Sequence, residues 1–225
     1  MTEPLDVYIG YDSKEIVAYH VLCQSIIAKS SQPIRFTPIN LRNITALFSR
    51  ERNQLQSTEF SFSRFLVPCL SGYRGWSLFM DCDMLLRADI AELFALADDR
   101  YAVMVCKHDY TPKDEVKFLG QVQTKYEKKN WSSVMLFNNA RCRTLTPDYV
   151  NSATGLQLHQ FKWLTDEALI GDLPLTWNWL VGEYDYDPEA RIVHFTRGGP
   201  YFANYRNSDY ADEWAAMLEQ TTYVA

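Results

Sequence analysis

Trp76-Ser77-Leu78-Phe79-Met80-Asp81-Cys82-Asp83-Met84-Leu85-Leu86 is an apolar run interrupted by two aspartates that stand one residue apart. Its first residues do not alternate cleanly between apolar and polar, which is typical of a strand covered on both faces, as in a parallel sheet packed between helices. Alternate residues of an extended chain point to the same side, so the Asp81 and Asp83 carboxylates are predicted to lie together. Because such carboxylates repel each other, the stretch predicts a divalent cation at the carboxyl edge of the sheet.

The aspartate pair also has a purely structural interpretation. Aspartate is common just after strands, where it caps a turn or the next helix, and Asp-x-Asp often arises by chance. A position directly behind a hydrophobic strand favours metal binding over this alternative.

His194 supplies a candidate third ligand. It lies at the end of a predicted strand, 191–196, and is followed by Gly198 and Gly199, where a backbone without side chains can approach a ligand closely. A lone histidine at a strand end is more often structural. Beside two aspartates, however, it completes an oxygen, oxygen and nitrogen ligand set that suits Mn²⁺ or Mg²⁺ holding a diphosphate.

The composition excludes several classes of protein. With 225 residues the chain can bury a full core, and a single α/β domain spanning 1–225 is expected. A net charge of −6 argues against a nucleic-acid partner. No run reaches the ~18 apolar residues of a transmembrane segment. The five scattered cysteines lack a Cys-x-x-Cys pair and favour a cytoplasmic protein; peripheral membrane contact and the oligomeric state are left open.

The order of the predicted elements indicates a mostly parallel central sheet flanked by helices. Strands are predicted at 5–10, 34–40, 76–80, 101–106, 133–138 and 191–196, and helices after residue 15 and at 61–70, 88–97, 166–170 and 209–220. Asp12 and Glu15 are spaced as a capping box for the first helix. The predicted buried face of that helix carries Ile16, Tyr19, Cys23, Ile26 and Ile27. A Gly-x-Gly-x-x-Gly fingerprint is missing after the first strand, which disfavours dinucleotide binding.

Two groups of basic residues are interpreted as solvated from the pattern alone. Arg64 lies outside the apolar stripe of the predicted helix 61–70. Lys125, Lys128 and Lys129 lie in a polar stretch, 107–130, that is expected to form a loop or lid, and they are interpreted as its solvated face.

The motifs together resemble glycosyltransferase family 8, the retaining enzymes of the GT-A fold related to glycogenin and bacterial galactosyltransferases. The likeness covers most of the chain and lies in the order and spacing of the segments 8–12, 62–70, 78–83, 132–138, 165–167, 173–178 and 194–200. The resemblance implies a Rossmann-like GT-A domain. It also implies metal-dependent transfer of a hexose from a UDP-sugar donor to a saccharide or another hydroxyl acceptor.

The resemblance assigns roles to individual residues near the donor. It implies that Asp81, Asp83 and His194 hold Mn²⁺ or Mg²⁺. It also implies that Arg64 lies near the donor sugar rather than on the solvated surface.

Other matched positions concern the acceptor and the nucleobase. Asp166, followed by Glu167 where the family has Gln, matches residues near the acceptor and is a candidate catalytic carboxylate together with Glu167. A double displacement would need such a carboxylate, whereas a front-side reaction would not, and the sequence leaves both routes open. Tyr11 and Asp12 match the loop that holds the nucleobase.

Three departures from the family pattern indicate an outlying subfamily. The family's Asn-x-Gly is replaced by Trp131-Ser132-Ser133, which makes Ser132 and Ser133 the candidate donor contacts there. The lysine that precedes Pro-Trp in the family, a phosphate contact, falls on Gly199. Arg197 is the nearby cation, and Arg197, Gly198 and Gly199 are candidate donor contacts. The aromatic residue of the nucleobase loop precedes the aspartate here.

Two other functions are compatible with parts of the sequence. The segment 79–85 superficially matches the nucleophile strand of haloacid-dehalogenase-type phosphatases, although those enzymes carry it near the N-terminus. A non-catalytic module that binds nucleotide-sugars is compatible with the replaced lysine and the altered Asn-x-Gly.

Overall fold

The predicted central sheet is present and contains six strands. The computed structural model describes residues 3–51, 56–109 and 127–222. The strands of this sheet are β1 (Leu5–Gly10), β2 (Ile34–Ile39), β3 (Trp76–Met80), β5 (Val103–Val105), β6 (Val134–Asn138) and β7 (Ile170–Asp172). They lie in the order β2-β1-β3-β6-β5-β7. The segment Ser77 to Met80 is fully buried, as expected for a strand covered on both faces.

The pairing within this sheet is mostly parallel. β1 pairs in parallel with β2 and β3, and β5 pairs in parallel with β7. β6 runs antiparallel to both β3 and β5. The predicted α/β fold with a mostly parallel sheet is therefore confirmed, and the reversed β6 places its first residues at the same edge as the last residues of β3.

A second, smaller sheet was not predicted. It consists of β4 (Met84–Leu86), β9 (Ile192–His194) and β8 (Trp179–Leu180), in that order. β4 and β9 are antiparallel, with Met84 opposite His194, and the Phe195 amide donates a hydrogen bond of 2.9 Å to the Asp83 carbonyl. This pairing brings the end of β9 next to the aspartate pair.

Six α-helices lie around the two sheets in the described part of the chain. They are α1 (Ile16–Lys29), α2 (Val67–Leu70), α3 (Ile90–Phe94), α4 (Pro147–Ser152), α5 (Gly155–His159) and α6 (Ala211–Thr221). α1 packs against β4 and α6. Among the described residues, none of the helices combines the length and the apolar character needed to cross a bilayer.

The predicted buried face of α1 is confirmed for Ile26 and in part for Tyr19 and Cys23, which are partly buried against the core, but it is wrong for Ile16 and Ile27. Ile16 and Ile27 are 43% and 58% exposed. The buried residues of this helix are Ala18, Val21, Leu22, Ser25 and Ile26. Apolar residues lie on more than one side of α1, so packing against β4 and α6 decides which side is buried, and the apolar spacing alone does not.

The predicted capping box at the start of α1 is also wrong. Glu15 is itself the N-cap residue and makes no side-chain capping hydrogen bond. One Asp12 carboxylate oxygen instead accepts from the Lys14 amide at 2.9 Å. Both acidic side chains are buried in the interior, and each is only 1% exposed.

The segment predicted as one helix at 61–70 is divided. A 3₁₀ turn, Ser63–Leu66, precedes α2, and Pro68 lies in the first turn of α2. Because a 3₁₀ turn is tighter than an α-helical turn, the side chains point in other directions than an α-helix would give. Arg64 consequently lies in the interior, 5% exposed.

Candidate metal and donor site

Asp81, Asp83 and His194 converge where the two sheets meet. Asp81 follows β3, Asp83 precedes β4 and His194 ends β9. One ligand atom from each residue lies within 4.8 Å of the others. The His194 Nε2 atom is 3.3 Å from an Asp83 oxygen, and none of the three residues is more than 8% exposed. Residues from distant parts of the sequence thus form one buried group of oxygen and nitrogen ligands.

Asn178 fixes the orientation of the His194 ring. The Asn178 amide nitrogen donates to the Ser133 hydroxyl at 2.8 Å and to the Asn130 carbonyl at 3.3 Å, so its oxygen faces the imidazole. His194 Nδ1 lies 3.0 Å from that oxygen and must donate to it. The lone pair of the imidazole is therefore on Nε2, toward Asp83, which is the tautomer that a metal-binding histidine requires.

Arg64 is buried against Asp81, so the interpretation of Arg64 as a solvated residue is wrong. Its guanidinium Nη1 lies 2.7 Å from an Asp81 oxygen and donates to the Ser132 carbonyl at 2.8 Å. The guanidinium also lies over the rings of Phe60 and Phe79, 5.1 and 5.0 Å from their centres. The positive charge lowers the repulsion between the two aspartates and fixes the position of Asp81.

Ser132 and Ser133 support this arrangement from the start of β6. The Ser133 carbonyl accepts from the Asp81 amide at 3.0 Å. The Ser132 hydroxyl oxygen lies 2.7 Å from His159 Nδ1. Burial, together with the nearby Arg64 charge, lowers the pKa of His159 to about 3, so this imidazole is neutral at pH 7. Nδ1 therefore accepts the Ser132 hydroxyl proton, and the hydroxyl is held in one orientation.

The loop after β1 is held by Asp12. Its second carboxylate oxygen accepts from the Glu59 amide at 3.0 Å. Tyr11 is half-buried and contacts the Tyr19 ring edge-on, with ring centres 5.5 Å apart. The loop is thereby tied to the segment that leads to Arg64, and a role for Tyr11 and Asp12 in nucleobase binding stays a prediction.

Gly199 leaves space for the ring of Tyr201. A Cβ atom at Gly199 would lie only 2.2 Å from a Tyr201 ring carbon. The Tyr201 hydroxyl donates a 2.5 Å hydrogen bond to Glu15. Burial and the neighbouring Asp83 charge raise the pKa of Glu15 well above its usual range. The family that the sequence resembles has a lysine at this position. Here the residue is Gly199, which leaves space for the Tyr201 ring and so lets its hydroxyl reach the buried Glu15 carboxyl group.

Arg197 and Gly198 continue from β9 toward the loop after β8. Arg197 Nη1 donates to the Gly182 carbonyl at 3.2 Å. Gly198 has a φ of 136°, a conformation that a residue with a side chain rarely adopts. The contact of Arg197 and Gly198 with the donor stays a prediction.

Asp166 and Glu167 lie at the 3₁₀ turn that precedes β7. Asp166 caps a 3₁₀ turn before β7 by accepting from the Ala168 amide at 2.9 Å, and Glu167 forms an ion pair with Lys128. Both acids are exposed. Within the described parts of the chain, neither forms an ion pair or hydrogen bond with the metal-ligand candidates. Their catalytic role stays a prediction.

The interpretation of the lysines before β6 as a solvated face is wrong for those that are described. Lys129 is 7% exposed. Lys128 pairs with Glu167 and donates to the Gln160 carbonyl at 3.2 Å. Lys125 lies outside the described residues. A run of charges is usually solvated, but this run lies where the chain enters a buried strand.

Sequence reasoning missed several polar residues of the site: Glu15, His108, His159, Asn178 and Tyr201. His108 follows β5, and its Nδ1 lies 2.9 Å from the Tyr184 hydroxyl. Burial, with a contribution from the neighbouring His194, lowers the pKa of His108 to about 3. Asn178 belonged to a noted motif, Leu173-Pro174 with Trp177-Asn178, and Glu15 was noted only as part of a capping box. The other three are single polar residues without a pattern.

Solved structures with a similar fold are glycosyltransferases. The bifunctional glycosyltransferase WbbM superposes with a TM-score of 0.66 at 14% identity, over 99% of this chain and 50% of WbbM. GlyE of Streptococcus pneumoniae gives 0.62 at 15% identity, over 96% of this chain and 60% of GlyE. An active-site mutant of LgtC gives 0.61 at 12% identity, over 98% of both chains. This chain therefore spans only about half of WbbM.

These structures define the class: the chain has the GT-A glycosyltransferase fold. No protein-family model matches the sequence. Protein CDI of Arabidopsis thaliana is 48% identical over 227 residues, which cover 97% of this chain and 87% of Protein CDI. The chain therefore belongs to the same family as Protein CDI.

Proposed function

We propose that this protein transfers a hexose from a UDP-sugar to a hydroxyl acceptor, with retention of the anomeric configuration, and that it depends on Mn²⁺ or Mg²⁺. The observation that carries the proposal is the group formed by Asp81, Asp83 and His194 at the junction of the two sheets. The glycosyltransferase fold supplies the setting, since ligands of open α/β sheets bind at the carboxyl ends of the strands.

The three residues fit a divalent cation of this type. Two carboxylates and one imidazole give hard and borderline ligands, and His194 presents its lone pair toward Asp83 because Asn178 holds the other ring nitrogen. When bound, such a cation would supply positive charge for the diphosphate and stabilise the departing nucleoside diphosphate. Arg64 holds Asp81 in place, and burial of the group excludes water from it.

The remaining residues have proposed roles around this centre. Tyr11 and Asp12, in the loop after β1, border the nucleobase. Ser132 and Ser133, at the start of β6, contact the donor, as do Arg197, Gly198 and Gly199 behind β9. Ser132 is suited to accept a hydrogen bond from a sugar hydroxyl, because its own proton is donated to His159.

Asp166 and Glu167 are the proposed carboxylates on the acceptor side. If Asp166 takes part in the reaction, Asp166→Asn lowers kcat. Full kcat in that variant would remove Asp166 from the mechanism and favour a front-side route, in which the departing phosphate takes the acceptor proton.

The decisive experiment compares release of UDP from UDP-hexoses by the wild type and by Asp83→Asn in the presence of Mn²⁺. Loss of one ligand is expected to lower turnover at least tenfold. Asp209→Asn, at an exposed aspartate, serves as the matched control and is expected to retain full activity. Equal UDP release by the wild type and Asp83→Asn would overturn the catalytic assignment.

A non-catalytic nucleotide-sugar-binding protein is the second candidate. The observation that favours it is Gly199, which admits the Tyr201 ring instead of presenting a cation to phosphate. Binding of UDP with Mn²⁺, without turnover of any UDP-hexose tested, would favour this function over transfer.

A further inference from the structure

A surface cleft lies between the loop that joins β8 to β9 and the start of α6. Its volume is about 550 Å³, within the range of small-molecule sites. None of the residues that line it is a candidate ligand of the cation or a candidate donor contact. The residues that give the cleft its chemistry are Tyr186, Arg206, Asn207, Tyr210, Asp212 and Glu213.

The ring of Tyr186 is an exposed aromatic surface at this cleft. It is 54% exposed, although large aromatic side chains usually bury most of their surface. The ring stacks on Tyr210, with ring centres 4.8 Å apart and an angle of 27° between the planes. Among the described residues, no other ring contacts Tyr186. More than half of this side chain is therefore available to a cyclic ligand.

Tyr210 holds this aromatic surface in place. Its hydroxyl donates to the Asp187 carbonyl at 2.7 Å and accepts from the Asp187 amide at 2.8 Å, which fixes the residue next to Tyr186. The Arg87 guanidinium lies over the Tyr210 ring, 5.1 Å from its centre, and donates to the Pro188 carbonyl at 3.0 Å. A ligand would therefore meet a surface that is already ordered, and little conformational entropy would be lost on binding.

Three exposed polar side chains at the cleft are available for hydrogen bonds with a ligand. In the described part of the chain, the side chains of Arg206, Asn207 and Asp212 form neither a hydrogen bond nor an ion pair. They supply a guanidinium, an amide and a carboxylate, so the cleft offers both donors and acceptors.

The charges at the cleft are nearly balanced. The Glu213 carboxylate pairs with the Arg87 guanidinium at 2.8 Å, which leaves one positive charge on Arg206 and one negative charge on Asp212. A phosphate or a nucleic acid would need an excess of positive charge. A sugar ring instead combines an apolar C–H face, which packs on an aromatic ring, with hydroxyl groups that both donate and accept. The cleft is therefore suited to an uncharged carbohydrate.

We propose that this cleft binds a neutral oligosaccharide, with one sugar ring against Tyr186 and its hydroxyl groups hydrogen-bonded to Arg206, Asn207 and Asp212. The inference goes beyond the proposed function, because binding at the cleft needs neither a nucleotide donor nor a cation. It adds a carbohydrate-binding site outside the group of Asp81, Asp83 and His194.

Calorimetric titration in EDTA, without nucleotide, tests the inference with maltohexaose, cellohexaose, mannohexaose and xylohexaose as probes. At least one of them is expected to bind saturably. Tyr186→Ala is expected to weaken that binding about tenfold, whereas Tyr186→Phe, which keeps the ring, should stay within about twofold of the wild type. Leu175→Ala, at another exposed apolar residue, is the matched control and is expected to bind as the wild type does.

Asn207→Ala provides a second test that does not alter the aromatic surface. Loss of its hydrogen bond is expected to weaken binding about threefold. Failure of all four oligosaccharides to bind at millimolar concentration would overturn the inference, and so would equal binding by the wild type, Tyr186→Ala and Asn207→Ala.

Asp83→Asn separates the cleft from the proposed donor site. This variant is expected to bind the oligosaccharide as the wild type does. Binding that is lost in Asp83→Asn and kept in Tyr186→Ala would place the saccharide at the donor site and overturn the inference. Turnover of UDP-hexoses is a separate measurement, so its absence would overturn the proposed function and leave the assignment of the cleft intact.

Discussion

At the scale of single residues, the hydrogen bond between Asn178 and His194 decides which imidazole nitrogen faces the aspartates. Asn178→Ala removes this hydrogen bond and lets the ring rotate or change tautomer. We expect Mn²⁺ affinity, measured by electron paramagnetic resonance of the free ion, to fall 10- to 100-fold, roughly as for other residues that orient a metal ligand. Asn207→Ala, at an exposed position, should bind Mn²⁺ normally. Unchanged affinity in Asn178→Ala would show that the ring is held by other contacts.

His159 makes stability depend on pH. Burial lowers its folded-state pKa to about 3, whereas the unfolded chain takes up this proton near pH 6.5. The unfolded state therefore binds more protons below pH 6.5, and the free energy of unfolding falls as the pH decreases. Between pH 7 and 5 this histidine should account for a loss of about 2 kcal/mol. Urea denaturation should show that loss in the wild type relative to His159→Gln; parallel pH profiles would contradict the assignment.

The predictability of the site residues depends on whether they belong to a pattern. The approach of Asp81, Asp83 and His194 was predicted from sequence, but not for the reason given by the period of a strand, because residues 81–83 form a bend between β3 and β4. Arg64 was misplaced by helical spacing because its segment forms a 3₁₀ turn. His159 has no such signal, since a single histidine in a polar stretch gives no indication that it will be buried against Ser132.

At the scale of elements, the hydrogen bond from Tyr201 to Glu15 joins the segment after β9 to the start of α1, and Gly199 leaves the space that the Tyr201 ring occupies. Gly199→Ala would place a methyl group 2.2 Å from the ring and displace the hydroxyl from Glu15. We expect a loss of about 1–3 kcal/mol in the free energy of unfolding. The same substitution should cost much less in a Tyr201→Ala background, because the ring is then absent. Urea denaturation of the four proteins measures the coupling, and additive costs would exclude the contact as its cause.

Most strands of the large sheet were predictable, but β7 follows a short 3₁₀ turn where a helix at 166–170 was predicted, and the antiparallel pairing of β6 was not predictable. The apolar runs of β1, β3 and β6 are long enough to identify strands. A buried strand has the same composition whether its neighbour is parallel or antiparallel. The sequence of β6 therefore does not indicate that this strand runs antiparallel to its neighbours. In the small sheet, β9 lies within the predicted strand 191–196, whereas β4 and β8 contain only three and two residues, too few to show a period.

At the scale of the whole molecule, the candidate metal ligands join the two sheets. A cation held by them should stabilise the folded chain by mass action. At a Mn²⁺ concentration of about 100 times Kd, the gain is about 2.7 kcal/mol, which corresponds to a rise in Tm of roughly 5–10 °C. Thermal denaturation with Mn²⁺ and with EDTA should show this rise in the wild type and little of it in Asp83→Asn. An equal rise in both proteins would place the ion elsewhere.

The order of strands in the small sheet has a consequence for biosynthesis. β9 lies between β4 and β8, yet it is the last of the three to leave the ribosome. β4 and β8 pair with β9 and not with each other, so this sheet cannot form until the strand that carries His194 has been synthesised. Until then, the backbone amides that pair with β9 stay unsatisfied in β4 and β8, and the group of Asp81, Asp83 and His194 is incomplete.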